Sequence, residues 1–249
     1  MKHLIMLPAL FLAAACTYST QTTSGADYVS SSPNGVARAI DANIAAVASV
    51  EPQLSFPARI GIARVVNGQL SLPPVGELQL FADVAQRYPH AGEFVPVSPL
   101  VMAMVTDNGS NVSSSDHYSR HNTAAEVIND IRLASARQHL DYVLIYEIGA
   151  RSRTGDTPFA LADVTIIGGM LLPTRNIRVA AVGAAILVDV RNGYPYGTVQ
   201  VAEDVSGLGR SWASERRTDS LRNQAALKVA RSLVPEVEEM LAELIAKAG

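Results

Sequence analysis

The residue with the clearest chemistry in this chain is Cys16, the only cysteine among its 249 residues. A basic start at Lys2 and His3 precedes an apolar stretch at 4–12, and three alanines at 13–15 stand directly before the cysteine. This order of charged start, apolar core and small residues is typical of a secretory signal sequence. We therefore expect residues 1–15 to be a signal peptide, and the Cys16 thiol to be exported without a disulfide partner in its own chain.

The same segment resembles a bacterial lipobox, in which the cysteine after the small residues is lipidated and becomes the mature N-terminus. A lipobox favours leucine three residues before the cysteine, whereas here Ala13 holds that position and Leu12 stands one residue earlier. The resemblance implies lipidation of Cys16 with several acyl chains, which anchor a protein more stably than one. Thr17 implies the outer membrane, with the domain facing the periplasm. The alternative is ordinary cleavage after Ala15, which leaves a free thiol.

The grouping most like a metal site is Asp116 with His117 and His121. Histidines four residues apart suit a ligand pair on a helix. Residues 106–122, however, are rich in serine and asparagine without periodicity, which predicts an exposed polar loop. His90 and His139 stand next to predicted element ends, where surface and C-cap roles are common. We therefore expect no metal site.

No residues follow the pattern of a catalytic site. A hydrolase triad needs a nucleophile on a strained turn, a base and an orienting acid. The chain has no Gly-x-Ser-x-Gly, and Ser98 before Pro99 is merely available. The run Gly-Leu-Gly-Arg at 207–210 lacks the Gly-Lys-Ser/Thr of a phosphate loop. The sequence predicts no catalytic residue and no cofactor.

Composition narrows the class of protein further. The chain is 48% hydrophobic and 17% charged, with a formal net charge of −3. The hydrophobic fraction is ample for a globular core. A nucleic-acid-binding protein would present a basic stripe, so the charge argues against nucleic acid as a partner.

The central part of the chain predicts a helix followed by a strand. Thr123 and Glu126 form a capping box, which marks a helix start, and apolar residues then recur at helical spacing. The run 142–148 contains a single charge, Glu147, and favours a strand covered on both faces. The polar run 151–156 is expected to end that strand.

A long hairpin follows. The Asn-Gly pair at 192–193 favours a two-residue type I′ turn after a strand at 177–190. In that register Val188 pairs with Gly197, and alternate residues of the hairpin form a core face. Asp189 then lies on the solvated face.

The remaining pattern completes one domain. Apolar residues at helical spacing predict three further helices: at 36–47, after Pro74 with an apolar stripe that begins at Val75, and up to 248 with an apolar stripe from Leu221 to Leu244 and a restart at Pro235. Further strands are expected at 60–66, 93–97 and 161–167. The fold class is therefore α/β (α+β), with a single mixed sheet of five to six strands flanked by helices and a C-terminal helix. Residues 16–34 are expected to be a flexible tether, and 35–249 one α/β domain with the polar loop at 106–122.

Short motifs carry a family resemblance. The stretches Pro-Ala-Arg-Ile-Gly-Ile-Ala at 57–63, Leu-Asp-Tyr-Val-Leu at 140–144, Thr-Ile-Ile-Gly at 165–168 and Leu-Val-Asp-Val at 187–190 resemble the rhombotarget lipoprotein family. Members of that family carry a lipobox and have no known function. More distantly, the chain is similar to the domain shared by curli-secretion and penicillin-binding-protein activator lipoproteins. The resemblance spans about residues 55–245 and supplies no catalytic residue.

Together these features lead to one functional expectation. The chain is expected to be a non-enzymatic envelope lipoprotein, anchored to the membrane through Cys16, whose domain binds a protein partner. The alternative is a periplasmic protein that binds a small ligand or hydrolyses cell-wall material. A concave pocket with convergent polar or titratable groups would favour the alternative.

Overall fold

The computed structural model describes residues 17–30, 39–106, 123–156, 175–209 and 214–249, with side chains for all of these except 28–30, 39–41, 151–156, 175–178, 207–209 and 214–217. Cys16, the loop at 107–122 and the strand expected at 161–167 lie outside these residues. The described elements are, in chain order, β1 (Thr17–Thr20), α1 (Gly25–Ser30), α2 (Ala39–Ala48), β2 (Ala58–Val66), β3 (Gln69–Ser71), α3 (Val75–Arg87), β4 (Gly92–Pro96), α4 (Pro99–Thr106), α5 (Ala124–Arg137), β5 (Tyr142–Asp156), β6 (Arg175–Asp189), β7 (Pro195–Gly209) and α6 (Ser214–Ala248).

One mixed sheet organises the fold. Its strand order is β1-β7-β6-β5-β2-β3, and β4 pairs with β2 beside β3. β2 runs parallel to β4 and β5, whereas the pairs β5–β6, β6–β7, β1–β7 and β2–β3 are antiparallel. The predicted class is confirmed, and the described sheet has seven strands rather than five to six.

The C-terminal helix α6 covers one face of the sheet together with α3. Its predicted stripe is buried throughout: Leu221, Ala225, Val229, Leu233, Val237, Leu241 and Leu244. The predicted restart at Pro235 is wrong, because α6 continues through the proline. Pro235 lies on the exposed side, while Leu233 and Val237 on either side of it are packed in the core. Burial of both halves on one sheet face therefore outweighs the local cost of proline in a helix.

The opposite face is covered by α5 and α4 over part of its width. The capping box of α5 is confirmed, because Thr123 N donates to Glu126 Oε2 (2.7 Å) and Glu126 N donates to Thr123 Oγ1 (3.3 Å). At the other end His139 has a positive φ of 56°. Its N–H donates to Ala136 O and that of Leu140 to Ser135 O, the pattern of a Schellman C-cap. The C-cap role expected of His139 is thus confirmed.

The β6–β7 hairpin departs from its predicted register. Leu187, not Val188, pairs with Gly197, and Val188 pairs with Pro195 across a β-bulge. The prediction of a two-residue turn is therefore wrong. The shift by one residue exchanges the faces, so Asp189 is 3% exposed instead of solvated.

Hydrogen bonds to the Asp189 side chain, rather than the Asn-Gly pair, determine the conformation of the β6–β7 loop. Oδ1 of Asp189 accepts hydrogen bonds from Arg191 N (2.7 Å) and Asn192 N (3.0 Å). Asp189 N donates to Tyr194 O (2.9 Å), and Gly193 N donates to Asp189 O (3.0 Å). These bonds form a four-residue loop with an Asx turn inside it. Gly193, at φ 78°, supplies the left-handed conformation that the loop needs.

Two further expectations need correction. Residues 151–156 do not end β5, because they stay paired with β6 as far as Asp156↔Arg175; the neighbouring strand overrides the polar composition. Part of the expected tether is ordered, since Thr17–Thr20 pairs along the edge of β7.

Helix α3 begins after Pro74, as predicted, but buries a different face. Val75 is 83% exposed, and the buried residues are Glu77, Phe81 and Val84. The apolar stripe predicted from Val75 did not identify this face, because Glu77, the first residue of the buried face, carries a carboxylate.

Candidate functional site: the Tyr194 groove beside the first strand

The first strand starts directly after the predicted lipidation residue. β1 is held on β7 by the ladder Thr17↔Gln200 to Thr20↔Gly197. A hydrogen bond of 2.9 Å also joins Ser19 Oγ to Thr198 Oγ1. Thr17, the residue after Cys16 in the sequence, is therefore held at the edge of the sheet.

The hydroxyl groups of three tyrosines form hydrogen bonds with the segments that follow β1 and α2. The Tyr194 hydroxyl donates to Thr23 O (3.0 Å). The Tyr196 hydroxyl accepts from Gln53 N (2.8 Å) and donates to Asp189 Oδ2 (3.2 Å). The Tyr142 hydroxyl accepts from Ser55 N (2.7 Å).

The rings of these tyrosines also contact one another. The centroids of Tyr142 and Tyr196 are 5.4 Å apart in an edge-on arrangement, and those of Tyr194 and Tyr196 are 5.1 Å apart. Burial raises the pKa of Tyr142 and Tyr196, and burial followed by the charge of Glu51 raises the pKa of Tyr194. All three hydroxyls are therefore neutral at neutral pH, and serve as hydrogen-bonding groups rather than as bases or nucleophiles.

A groove of about 650 Å³ opens beside these tyrosines, and we call it the Tyr194 groove. It is lined by residues of the β1–α1 segment, of α2 and of the β6–β7 loop: Gln21, Thr23, Ser24, Gly25, Asn43, Ile44, Val47, Ala48, Val50, Asn192, Gly193, Tyr194 and Pro195. None of these residues is charged. Ile44 is 46% exposed and Val47 is 76% exposed. The groove thus offers α2 side chains as its accessible apolar surface.

The polar groups at the opposite wall are already engaged within the protein. Asn192 Nδ2 donates to Glu51 O (3.0 Å), and Asn192 Oδ1 accepts from Tyr194 N (2.8 Å). Gln21 Nε2 donates to Pro195 O (2.9 Å). With these groups paired, the groove is suited to an apolar contact rather than to a polar substrate.

The Leu140–Asp141–Tyr142 junction, one of the family-like motifs, has a structural role. Asp141 Oδ2 accepts from Arg59 N (2.9 Å), and Asp141 Oδ1 accepts from Arg191 Nη2 (3.2 Å). Its backbone joins the same two segments, since Asp141 N donates to Arg59 O and Val190 N donates to Asp141 O. Asp141 therefore ties β2, β5 and the β6–β7 loop together at one end of the sheet.

Besides Asp189, the described residues bury one more carboxylate, Glu77 at the start of α3, and the sequence predicted neither burial. Oε2 of Glu77 accepts from the Tyr146 hydroxyl (2.6 Å) and lies 3.1 Å from Arg64 Nε. That nitrogen is buried without a hydrogen bond of good geometry. Burial, and then the hydrogen bond to Glu77, raise the pKa of Tyr146 far above its usual value. The three residues come from distant parts of the chain, so no local spacing could have grouped them.

The residues weighed for chemistry do not form a site together. Cys16, Asp116, His117 and His121 lie outside the described residues. Ser98 N donates to Gln138 Oε1 (3.0 Å), and Ser98 O accepts from Met102 N at the start of α4. Ser98 therefore begins a helix. His90 is exposed after α3.

The described residues contain neither a metal cluster nor a membrane-spanning helix. In the parts of the chain that the structure describes, no three His, Cys, Asp or Glu side chains are arranged to hold a metal ion. Over the same residues, no helix combines the length and apolar character that a membrane span requires.

Comparison with protein-family models gives no match, and comparison with curated protein sequences gives none either. Several solved structures are similar. The PelC dodecamer from Paraburkholderia phytofirmans has 14% identity and a TM-score of 0.32, over 76% of this chain and 93% of that one. The hypothetical protein CT253 from Chlamydia trachomatis has 12% identity and a TM-score of 0.32, over 75% and 98%. Lipoprotein GNA1162 from Neisseria meningitidis has 18% identity and a TM-score of 0.26, over 68% and 97%. At these levels none of the three fixes the function of this chain.

Proposed function

We propose that this chain is an envelope lipoprotein, anchored in the outer membrane through acylated Cys16, whose α/β domain binds a protein partner at the Tyr194 groove. The observation that carries the binding role is the character of the groove. Its Asn192, Gln21 and Tyr194 polar groups are paired inside the protein, while Ile44 and Val47 are accessible. An apolar side chain of a partner is the complement to such a surface.

The anchoring role is supported by the signal-like segment before Cys16 and by β1. Because Thr17 is already paired with Gln200, an acylated Cys16 would hold the domain close to the membrane surface, not at the end of a tether. The Tyr194 groove begins with Gln21, just past the end of β1. A partner reaching the groove would therefore meet it near the membrane.

A second candidate, a small apolar ligand, is favoured by the size of the groove. Its volume of about 650 Å³ falls within the roughly 300–1,000 Å³ typical of small-molecule sites. The hydrolytic alternative has no comparable support, because the groove residues include no titratable pair.

A photo-crosslinking experiment tests the protein-binding role. A photoreactive amino acid replaces Val47 in the intact chain in its own host, and Val75 is replaced in a matched control. Val75 is also an exposed valine, at 83%, but lies outside the groove. We expect position 47, and not position 75, to yield one discrete adduct with a protein that mass spectrometry identifies.

A binding measurement with the purified partner then tests whether the groove is the binding site. With the identified protein purified, Val47→Asp should weaken binding by about tenfold or more, whereas Val75→Asp should leave it within about twofold. Equal effects of the two variants would contradict the assignment of the groove. Crosslinks from position 47 to small molecules alone would favour the second candidate.

The anchor has its own test. Mass spectrometry of the mature protein should show a diacylated or triacylated Cys16, and Cys16→Ser should release the protein from the membrane fraction. An unmodified thiol at the mature N-terminus would contradict the anchor without affecting the result at Val47.

A further inference from the structure

A second cleft lies on the other side of β7, on the face of the sheet that carries α5. Helix α5 packs in one core cluster with residues of β2 and β5, whereas Ala184 of β6 and Thr198 and Gln200 of β7 are exposed. The resulting α5 cleft has a volume of about 440 Å³. The residues that line the cleft include Val127, Ile128, Ile145, Ala184, Ile186 and Gln200. It is apolar at its centre.

The strand register connects this cleft to the start of β1. Thr17 pairs with Gln200, Gln200 with Ala184, Ala184 with Glu147, and Glu147 with Val65. These five residues form one row across the sheet, and residues paired in this way share a face. Strands are spaced about 4.8 Å apart. The row therefore leads from the residue after Cys16 straight across the floor of the α5 cleft.

The adjacent row on the same face supplies the apolar floor. It runs from Ser19 through Thr198, Ile186 and Ile145 to Ala63. The hydroxyls of Ser19 and Thr198 lie at the β1 end, 2.9 Å apart. Ile186 and Ile145 follow beneath α5. Polarity thus falls from the β1 end towards the centre of the cleft.

We propose that the α5 cleft binds an acyl chain carried by Cys16. The inference rests on the proposed lipidation and adds where one chain lies. Thr17, the residue directly after Cys16, stands at the head of the row that enters the cleft. Three strand spacings, about 14 Å, separate β1 from β5, close to the roughly 15 Å that acyl chains span in one leaflet of a bilayer.

The change from polar to apolar residues along the cleft favours an acyl chain, rather than the surface of a partner protein, as the ligand. The ester or amide linkages of an acylated cysteine are polar and would lie near Ser19, Thr198 and Gln200. The hydrocarbon would continue over Ile186 and Ile145. Glu147 also lines the cleft and is exposed to solvent. An acylated protein with one chain folded back in this way shields that chain from water.

The test uses the intact lipoprotein, labelled in growing cells with a palmitate analogue that carries a photoreactive diazirine. After irradiation, mass spectrometry first establishes acylation of Cys16 and then maps the crosslinks. We expect intramolecular crosslinks to peptides that contain Ile128 or Ile186. Ala184→Phe should reduce them by about tenfold or more, because the new ring fills the cleft.

Ala180→Phe is the matched control. Ala180 lies on the same strand and the same face as Ala184, is also exposed, and lies outside the cleft. The crosslinks should persist in this variant, and circular dichroism should show both variants folded. Crosslinks only to bilayer lipids, to another protein, or to residues of the Tyr194 groove would overturn the proposal while leaving the anchor intact. An unacylated Cys16 would overturn both.

Discussion

The hydroxyl of Tyr196 donates a hydrogen bond of 3.2 Å to Oδ2 of Asp189, and both side chains are buried. This bond joins the turn that starts at Asp189 to the tyrosines that hold the N-terminal segments. Because Asp189 Oδ1 accepts from Arg191 N and Asn192 N, one carboxylate closes the loop and also reaches the core. The register of the β6–β7 hairpin thus depends on Asp189.

Asp189→Ala should lower the free energy of unfolding by about 2–4 kcal/mol, because it leaves a buried tyrosine hydroxyl and two backbone donors without their acceptor. Urea denaturation measures this loss. Asp189→Asn, which retains one oxygen acceptor, should cost less. Asp204→Ala, at an exposed position on β7, is the control and should change stability by no more than about 0.5 kcal/mol. Equal stability of Asp189→Ala and Asp204→Ala would contradict the role of Asp189.

Much of the fold could be predicted because its signals are local. The Thr123–Glu126 capping box and the α6 stripe are fixed by neighbouring residues and by helical period. The hairpin register could not be predicted in the same way. The Asn-Gly pair favours a two-residue turn, but Asp189 accepts from Arg191 N and Asn192 N in an Asx turn. It also accepts from the hydroxyl of Tyr196, a contact that becomes visible only in the folded hairpin.

The candidate site was less predictable than the fold. The lipidation prediction depends on Cys16 and its neighbours, which lie outside the described residues, and it stays a prediction. The Tyr194 groove arises from three separate segments, and neither Ile44 nor Tyr194 carries a local signal of it. Apolar residues at helical spacing in α2 predicted a buried face, whereas Ile44 and Val47 are accessible.

Gly183 marks a close approach between β6 and α6 and gives a second prediction. A Cβ atom at Gly183 would lie 2.5 Å from Val229 Cγ1. Gly183→Ala should therefore destabilise the protein by about 1–3 kcal/mol through overpacking. Gly149→Ala, where a Cβ meets no atom within 4 Å, should be neutral or slightly stabilising. Thermal unfolding compares the two.

Val229→Ala provides the complementary variant, since it removes the methyl groups that a Cβ at position 183 would meet. In a double-mutant cycle, Gly183→Ala should cost less in the Val229→Ala background than in the wild type. An additive pair would show that the contact between α6 and β6 at this point is not tight.

The buried pair of Tyr146 and Glu77 leads to a third prediction. Tyr146→Phe removes the donor that lies 2.6 Å from the Glu77 carboxylate and should cost about 1–3 kcal/mol. Tyr88→Phe, at an exposed tyrosine, should have little effect. Chemical denaturation at neutral pH provides the comparison.

Alkaline pH should narrow the gap between wild type and Tyr146→Phe. Burial and the bond to Glu77 raise the pKa of Tyr146 in the folded protein, so the fold favours the neutral phenol. Its contribution is fully present below the ordinary tyrosine pKa of about 10 and is lost as pH rises through the folded value. A gap that stays constant above pH 10 would contradict this assignment.

Glu203 gives the acid-side prediction. Its carboxylate contacts Lys228 Nζ (2.6 Å) and accepts from Ser232 Oγ (2.6 Å), which joins β7 to α6. The hydrogen bond to Lys228, followed by that to Ser232, lowers the pKa of Glu203. The folded state therefore binds this proton less readily than the unfolded state. The resulting stability is present above the unfolded value of about 4.5 and is lost as pH falls through the folded pKa.

Glu203→Gln should accordingly lower stability by at most about 1 kcal/mol at neutral pH, because the Lys228 end of the pair is half exposed and screened by solvent. The difference from wild type should shrink as the pH falls below about 4.5. Lys228→Gln removes the first cause of the shift, so adding Glu203→Gln to it should produce a smaller change. A difference that is constant from pH 3 to pH 7, measured by urea denaturation, would show that the charge of Glu203 does not contribute to holding α6 on β7.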